Sequence, residues 1–241
     1  MLAFSCHTNY VKVDTETQNI SINPEIAEPD SQFLKMIKPY KDSLDNDMLK
    51  VIGISEYEMV KGRPESLLSN FMADLLLEVG DSFCQENNLE FVPDMAYVNY
   101  GGIRTSLPKG EITVRKIFEL MPFDNEMVFV KLKGKSIQEF LDQLASKGGD
   151  GVGGIQFGIK ENKALNILIG GQEVVAEKSY WIVTNDYVAS GGDGMDVLKD
   201  KRLDLKGSNE RIREVIIEYF SEKYKRGELI TSKMDGRIYY E

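Results

Sequence analysis

VTNDYVASGGDGM, residues 183–195, holds the boundary on which the fold reading turns. Tyr180–Thr184 is a run of aromatic and β-branched residues that reads as a buried strand. It passes directly into Asn185, Asp186 and Tyr187, then into Gly191, Gly192, Asp193 and Gly194. A strand that ends in a polar, glycine-punctuated turn presents side chains at the rim of a sheet. Asp193, set between glycines, can accept two hydrogen bonds from a vicinal diol such as a ribose, and Tyr187 offers a flat ring to a base. Taken alone, GGDG is equally a plain turn, or loosely a calcium loop that lacks the alternating acids of an EF-hand.

On either side of this stretch, strand and helix patterns mix without regular strand–helix–strand alternation. Val51–Ile54, Met95–Val98, Met127–Leu132, Ile155–Ile159 and Leu165–Ile169 read as strands, and Gly236–Tyr240 as a closing one. Helical spacing predicts a helix behind Asp30 or Ser31 that Pro39 should kink or interrupt. A second runs from about Ser66 to Phe83, a third follows Gly134, and a fourth is expected from Ser208 until Gly227 stops it. The pattern predicts an α+β fold, a single domain with a mixed β-sheet and packed helices, over residues 29–241. Residues 1–28 read as an N-terminal lead-in.

Composition narrows the function. The chain has 241 residues and a net charge of −10, which excludes a surface that tracks nucleic-acid phosphates. It holds one histidine, His7, and two cysteines, Cys6 and Cys84, too few for a two-metal hydrolytic centre or a disulfide scaffold. The opening MLAFSC resembles the end of a lipoprotein signal with Cys6 as the lipidated residue; the other reading is an ordinary N-terminus.

Two further loops depart from core patterning. In VNYGGIRTSLPKG, residues 98–110, Asn99, Gly101, Gly102 and Arg104 form a polar turn after a strand. Paired glycines allow close backbone approach, and an arginine beyond them can fork onto a phosphate, although the same string also makes a simple turn. In ELMPFDNEM, residues 119–127, Phe123 follows Pro122 and precedes Asp124 and Asn125. It can either plug the core or stand out as a stacking platform.

In this order and spacing, VNYGGIR, LMPFDNEM with the following LKGKSI, GVGGIQF and TNDYVASGGDG resemble the C-terminal, substrate-binding domain of the 5′-nucleotidase family. That family includes UDP-sugar hydrolases and 2′,3′-cyclic-nucleotide phosphodiesterases. The resemblance implies roles. Asn99 and Arg104 match the Asn and phosphate-binding Arg of the glycine-rich turn. Phe123 and Tyr187 match the aromatic pair that sandwiches the base, with Tyr for the usual Phe. Asn125 matches a polar residue at the base edge, Asp193 the ribose-binding acid, and Gly154 a backbone contact before Ile155. Arg63, in KGRPES, is the nearest match to a second phosphate arginine. Tyr100 departs from the pattern by replacing a glycine, which predicts a narrower approach to Arg104.

The resemblance does not extend to the metallophosphatase half of such enzymes, so no catalytic and no metal-ligating residue is expected here. It implies a nucleotide or nucleoside ligand. Divalent metals are expected on a separate metallophosphatase chain, and the location is expected to be exported, periplasmic or lipid-anchored. Two other readings are a non-catalytic exported nucleotide-binding module and an independent hydrolase using Asp186 and Asp193 as a carboxylate pair.

Overall fold

The computed structural model describes residues 14–19 and 30–241. The expected lead-in therefore lies outside the described residues, apart from 14–19, which carry no regular structure; the Cys6 anchor lies outside them too. The chain divides into two compact units, Met1–Leu44 and Asp45–Glu241. Helix α1 (Ser31–Met48) begins in the first. The Asp30 carboxylate caps it, accepting from the Gln32 and Phe33 N–H groups at 2.8 and 3.2 Å. The helix continues through Pro39 without the interruption that was one of the two outcomes expected of that proline. The ring removes one backbone donor, but Lys35, whose carbonyl loses that donor, is exposed and water can serve it.

The second unit is organised by a five-stranded mixed sheet. Its strands in chain order are β2 (Met95–Val98), β4 (Glu126–Lys133), β5 (Gly151–Gly153), β9 (Ser179–Asn185) and β10 (Asp204–Arg211). In space they run β10-β4-β9-β2-β5, with β2 and β9 parallel and every other neighbouring pair antiparallel. A second sheet, ordered β11-β6-β7-β8, comprises β6 (Ile155–Lys160), β7 (Lys163–Ile169), β8 (Gln172–Glu173) and β11 (Ile238–Tyr240). A small ribbon joins β1 (Val51–Ser55) to β3 (Gly110–Thr113).

The inner strands β4, β9 and β2 read as largely apolar runs because both faces of the sheet are covered there. Alternate residues fall into two separate cores, as the two-residue period of a strand requires. Ala96, Val98, Phe129, Trp181 and Val183 join the core beneath α2 (Leu67–Glu86) and α7 (Ile212–Lys225). Met95, Tyr97, Val128, Val130 and Ile182 join the core beneath α4 (Gly134–Ser146). Phe91 stacks on Trp181 with ring centroids 3.8 Å apart and plugs one end of the first core.

One helix starts later than its pattern suggests. Ser208, expected at the start of the last helix, lies in edge strand β10, and the helix begins at Ile212. Ser208 serves the strand instead: its hydroxyl donates to the Met127 carbonyl at 2.8 Å across the sheet and accepts from the Glu210 N–H at 3.0 Å, ahead of the helix. The Asn125 carbonyl instead takes the Ile212 N–H at 2.9 Å. That hydrogen bond ties the start of α7 to the loop that carries Phe123.

Candidate functional site

Topology brings three loops to one rim. Because β2 and β9 are parallel neighbours, their carboxyl ends emerge side by side, and the turns after Val98 and Asn185 become adjacent. Strand β4 runs antiparallel to β9 with Met127 opposite Asn185, so the loop leading into β4 opens at the same edge. Together Asn99, Gly101, Gly102, Arg104, Phe123, Asn125, Tyr187 and Asp193 line a cavity of about 280 Å³.

A directed line of hydrogen bonds builds its floor. Helix α5 (Asp186–Ala189) is capped by Asn185, whose side-chain oxygen accepts from the Val188 N–H at 2.9 Å. The Asn185 amide donates to Asn99 Oδ1 at 3.0 Å, and the Asn99 amide donates to Asp193 Oδ2 at 2.6 Å. Both asparagines are buried, at 1% and 3% exposure, so their amides need the partners they have. The other Asp193 oxygen, Oδ1, accepts from the Tyr187 hydroxyl at 3.1 Å, and the same hydroxyl accepts the Asp193 N–H at 3.3 Å. Lys147 donates to the Asp193 carbonyl. Asp193 is thus held by four hydrogen bonds from three residues, Asn99, Tyr187 and Lys147, in a left-handed conformation, φ 53°.

The glycines around this floor are demanded by contact. A Cβ on Gly102 would stand 2.8 Å from Asn99 Oδ1, and one on Gly192 would stand 2.6 Å from the Tyr187 ring. Phe123 and Tyr187 are each 47% exposed toward the opening, where a flat ligand can reach their faces. Arg104 is exposed at the rim. Its guanidinium donates to the Gly101 carbonyl at 3.1 Å and lies 5.8 Å from the Phe123 ring centre.

Tyr100 does not crowd Arg104 by lining the cavity. Its ring turns to the segment before α2, where Lys61 Nζ lies 4.0 Å and the Arg63 guanidinium 4.5 Å from its centre. The Lys61 ammonium also donates to the Tyr100 and Ile103 carbonyls at 3.1 and 2.5 Å. Burial, reinforced by the Arg104 charge and opposed by Asp150, holds Lys61 below the ordinary lysine range. Asp150 is itself 4% exposed, and burial pushes its carboxyl up to about 6. Hydrogen bonds from the Gly151 N–H and the Tyr97 hydroxyl, at 3.1 and 3.3 Å, oppose that rise.

Six of the eight expected site residues line one cavity, and two stand apart from it. Arg63 is occupied with Tyr100. Gly154 lines a different depression with Asp235 and Arg237. Its φ is +73°, and a Cβ there would stand only 2.8 Å from the Asp94 carbonyl oxygen, so packing alone requires glycine. Asp186 does not pair with Asp193: its carboxylate accepts from the Glu126 N–H at 3.2 Å, at the mouth of β4. Asn185, named in its loop without a role, and Lys147, not singled out, carry the floor; a buried amide and a lone lysine have no distinguishing local pattern. Among the described residues, no three His, Cys, Asp or Glu side chains converge as a group that could hold a metal ion. No described helix is long and apolar enough to cross a membrane.

Known proteins share both sequence and fold. Residues 51–200 match the family described as 5′-nucleotidase, C-terminal domain. The chain is 28% identical over 250 residues to the trifunctional nucleotide phosphoesterase protein YfkN of Bacillus subtilis, covering 94% of this chain and 16% of that one. It is 26% identical over 195 residues to a 5′-nucleotidase of Vibrio cholerae, covering 79% of this chain and 34% of the relative. Among solved structures, a 5′-nucleotidase precursor from Thermus thermophilus superposes with a TM-score of 0.72 at 28% identity, over 90% of this chain and 44% of that one. The chain therefore spans less than half the length of these relatives. With its fold, its three rim loops and the matched segment in agreement, the chain belongs to the 5′-nucleotidase C-terminal domain family.

Proposed function

We propose that this chain is the nucleotide-recognition half of a split 5′-nucleotidase. The base stacks between Phe123 and Tyr187, with Asn125 at its edge. Asp193 accepts from the ribose hydroxyls, and Arg104 holds the phosphate. The observation that carries the reading is the single cavity in which two exposed aromatic faces, a fixed carboxylate and an arginine converge. Hydrolysis then requires a two-metal metallophosphatase partner, in this reading a separate chain, because positioning alone supplies only part of the barrier reduction. The same reading places the protein outside the cytoplasm, exported to the periplasm or tethered by lipid at Cys6.

Calorimetric titration of adenosine, AMP and inorganic phosphate into the full chain tests the proposal. Stacking contributes about 1–3 kcal/mol per base, so Phe123→Ala should weaken adenosine binding by roughly 5- to 150-fold. Arg104→Ala should weaken AMP and leave adenosine unchanged. Adenosine binding that is indifferent to Phe123→Ala would remove the base from this cavity.

A further inference from the structure

Phe123 stands on an irregular loop between α3 (Val114–Leu120) and β4, and an exposed ring on such a loop recognises a base well only if its backbone is held. The holder comes from elsewhere in the chain. Arg213, in the first turn of α7, is 6% exposed. Its Nη1 donates to the Pro122 carbonyl at 3.1 Å and to the Phe123 carbonyl at 3.5 Å, and its Nη2 donates to the Asp124 carboxylate. One side chain therefore grips three consecutive residues of the loop. The guanidinium packs 4.3 Å from the Phe118 ring centre, on the helix that leads into the loop. The neighbouring Ile212 N–H donates to the Asn125 carbonyl, which extends the grip by one residue.

The arrangement is specific to arginine. A planar fork with five donors can span two carbonyls and a carboxylate at once, whereas a lysine offers one point charge. The hydrogen bond from Arg213 also holds the Asp124 carboxyl below the usual carboxylate range. The buried Nε has no hydrogen-bond partner, and a Glu214 carboxylate oxygen stands 3.7 Å from it. A guanidinium buried with one donor unsatisfied is a costly way merely to anchor a helix. Its satisfied donors all point at the loop that carries the ring.

We infer that Arg213 is a positioning residue for the base platform: it sets where Phe123 stands, and hence how tightly a nucleobase binds, without touching the ligand. The inference rests on the proposal that Phe123 stacks on the base.

The test uses the full chain with Arg213→Met, Arg213→Lys and Asp124→Ala, and Phe123→Ala as the reference. Adenosine and inorganic phosphate are titrated by calorimetry, and amide hydrogen exchange is followed across residues 121–126 by mass spectrometry. Arg213→Met should weaken adenosine about tenfold, a part of the stacking contribution, with phosphate affinity unchanged. Exchange at 121–126 should accelerate while that of 95–98 and 180–184 stays slow. Arg213→Lys should recover part of the loss, and Asp124→Ala should weaken adenosine about threefold. If Arg213→Met does not fold, the lysine and Asp124 variants decide. Adenosine affinity within twofold of the parent in the Arg213 and Asp124 variants, alongside a large loss in Phe123→Ala, overturns the positioning role and leaves base stacking intact. No loss in Phe123→Ala overturns both.

Discussion

Gly192→Ala isolates one contact, against Tyr187, which lines the cavity. A Cβ at residue 192 would lie 2.6 Å from Cε1, Cζ and the carbonyl oxygen of Tyr187, against 3.4 Å for the start of ordinary contact. Something must therefore move by 3.4 − 2.6 = 0.8 Å. The ring cannot simply swing aside, because its hydroxyl is bonded to both the Asp193 carboxylate and the Asp193 N–H. The Tyr187 carbonyl is held by the Ser190 N–H at 3.3 Å. Overpacking of this kind costs about 1–3 kcal/mol, offset by roughly 0.4–1 kcal/mol from a stiffer unfolded chain. A net loss of about 1–2 kcal/mol lowers the melting temperature by about 2–8 °C for a domain of this size. Gly207→Ala is the control, since a Cβ there meets nothing within 4 Å. Calorimetric melting of both variants, followed by adenosine titration, reads the outcome. Gly207→Ala should melt close to the parent, and Gly192→Ala should lose both stability and adenosine affinity. A Gly192→Ala protein that melts with the parent and binds adenosine equally well would refute the claim that Tyr187 is wedged against this backbone.

Asp150→Asn should change how stability depends on pH. With its carboxyl raised from 3.8 to about 6, Asp150 contributes stability that is fully present below pH 3.8 and lost as pH rises through 6. At 1.36 kcal/mol per pH unit, that amounts to at most about 3 kcal/mol by pH 7. Denaturant melts should show the parent gaining up to that much on the asparagine variant between pH 7.5 and pH 4. A difference that stays flat with pH would show that Asp150, facing Tyr97, Arg63, Lys61 and Lys147, titrates as an ordinary carboxylate. Cys84 is fully buried, and burial, helped by the Asp81 charge, pushes its thiol up to about 11. Iodoacetamide at pH 8 should leave Cys84 unmodified in the native protein and alkylate it after unfolding, as peptide mass spectrometry will show. In the same digest of protein from its native cell, a diacylglyceryl mass on Cys6 would support the lipid tether, and an unmodified thiol there would sink it.

Much of this architecture was legible because its signals are local. The Leu67, Leu68, Phe71, Leu75 and Leu76 spacing places α2 to within a few residues, since Ser66 caps it by accepting from the Ser69 N–H. The rim loops were legible because glycines, a post-proline aromatic and an acid interrupt apolar strands at each of them. Strand β10 was not. Its polar DLKGSNER run has no apolar alternation and is held by pairing with β4, which is information from a distant part of the chain. Arg213 was hidden for the same reason: nothing in IREVII distinguishes a solvated arginine from one that reaches the 122–124 loop. Gly154 shows the converse, since a glycine that matches a pattern can be required by the Asp94 carbonyl beside it.

The line from Val188 through Asn185 and Asn99 to Asp193 has a polarity. Every amide along it points the same way, donor toward the acid, so successive dipoles reinforce one another and end on one carboxylate oxygen. Such a line tolerates no isosteric acid in its interior: an aspartate at 99 or 185 would set two acceptors face to face in a buried corner. If Asp193 takes the ribose hydroxyls as proposed, selectivity for the sugar is written partly in the β9–α5 junction, away from the cavity's rim. A designer who redraws the visible rim while disturbing that junction would lose the acid's aim before altering its specificity.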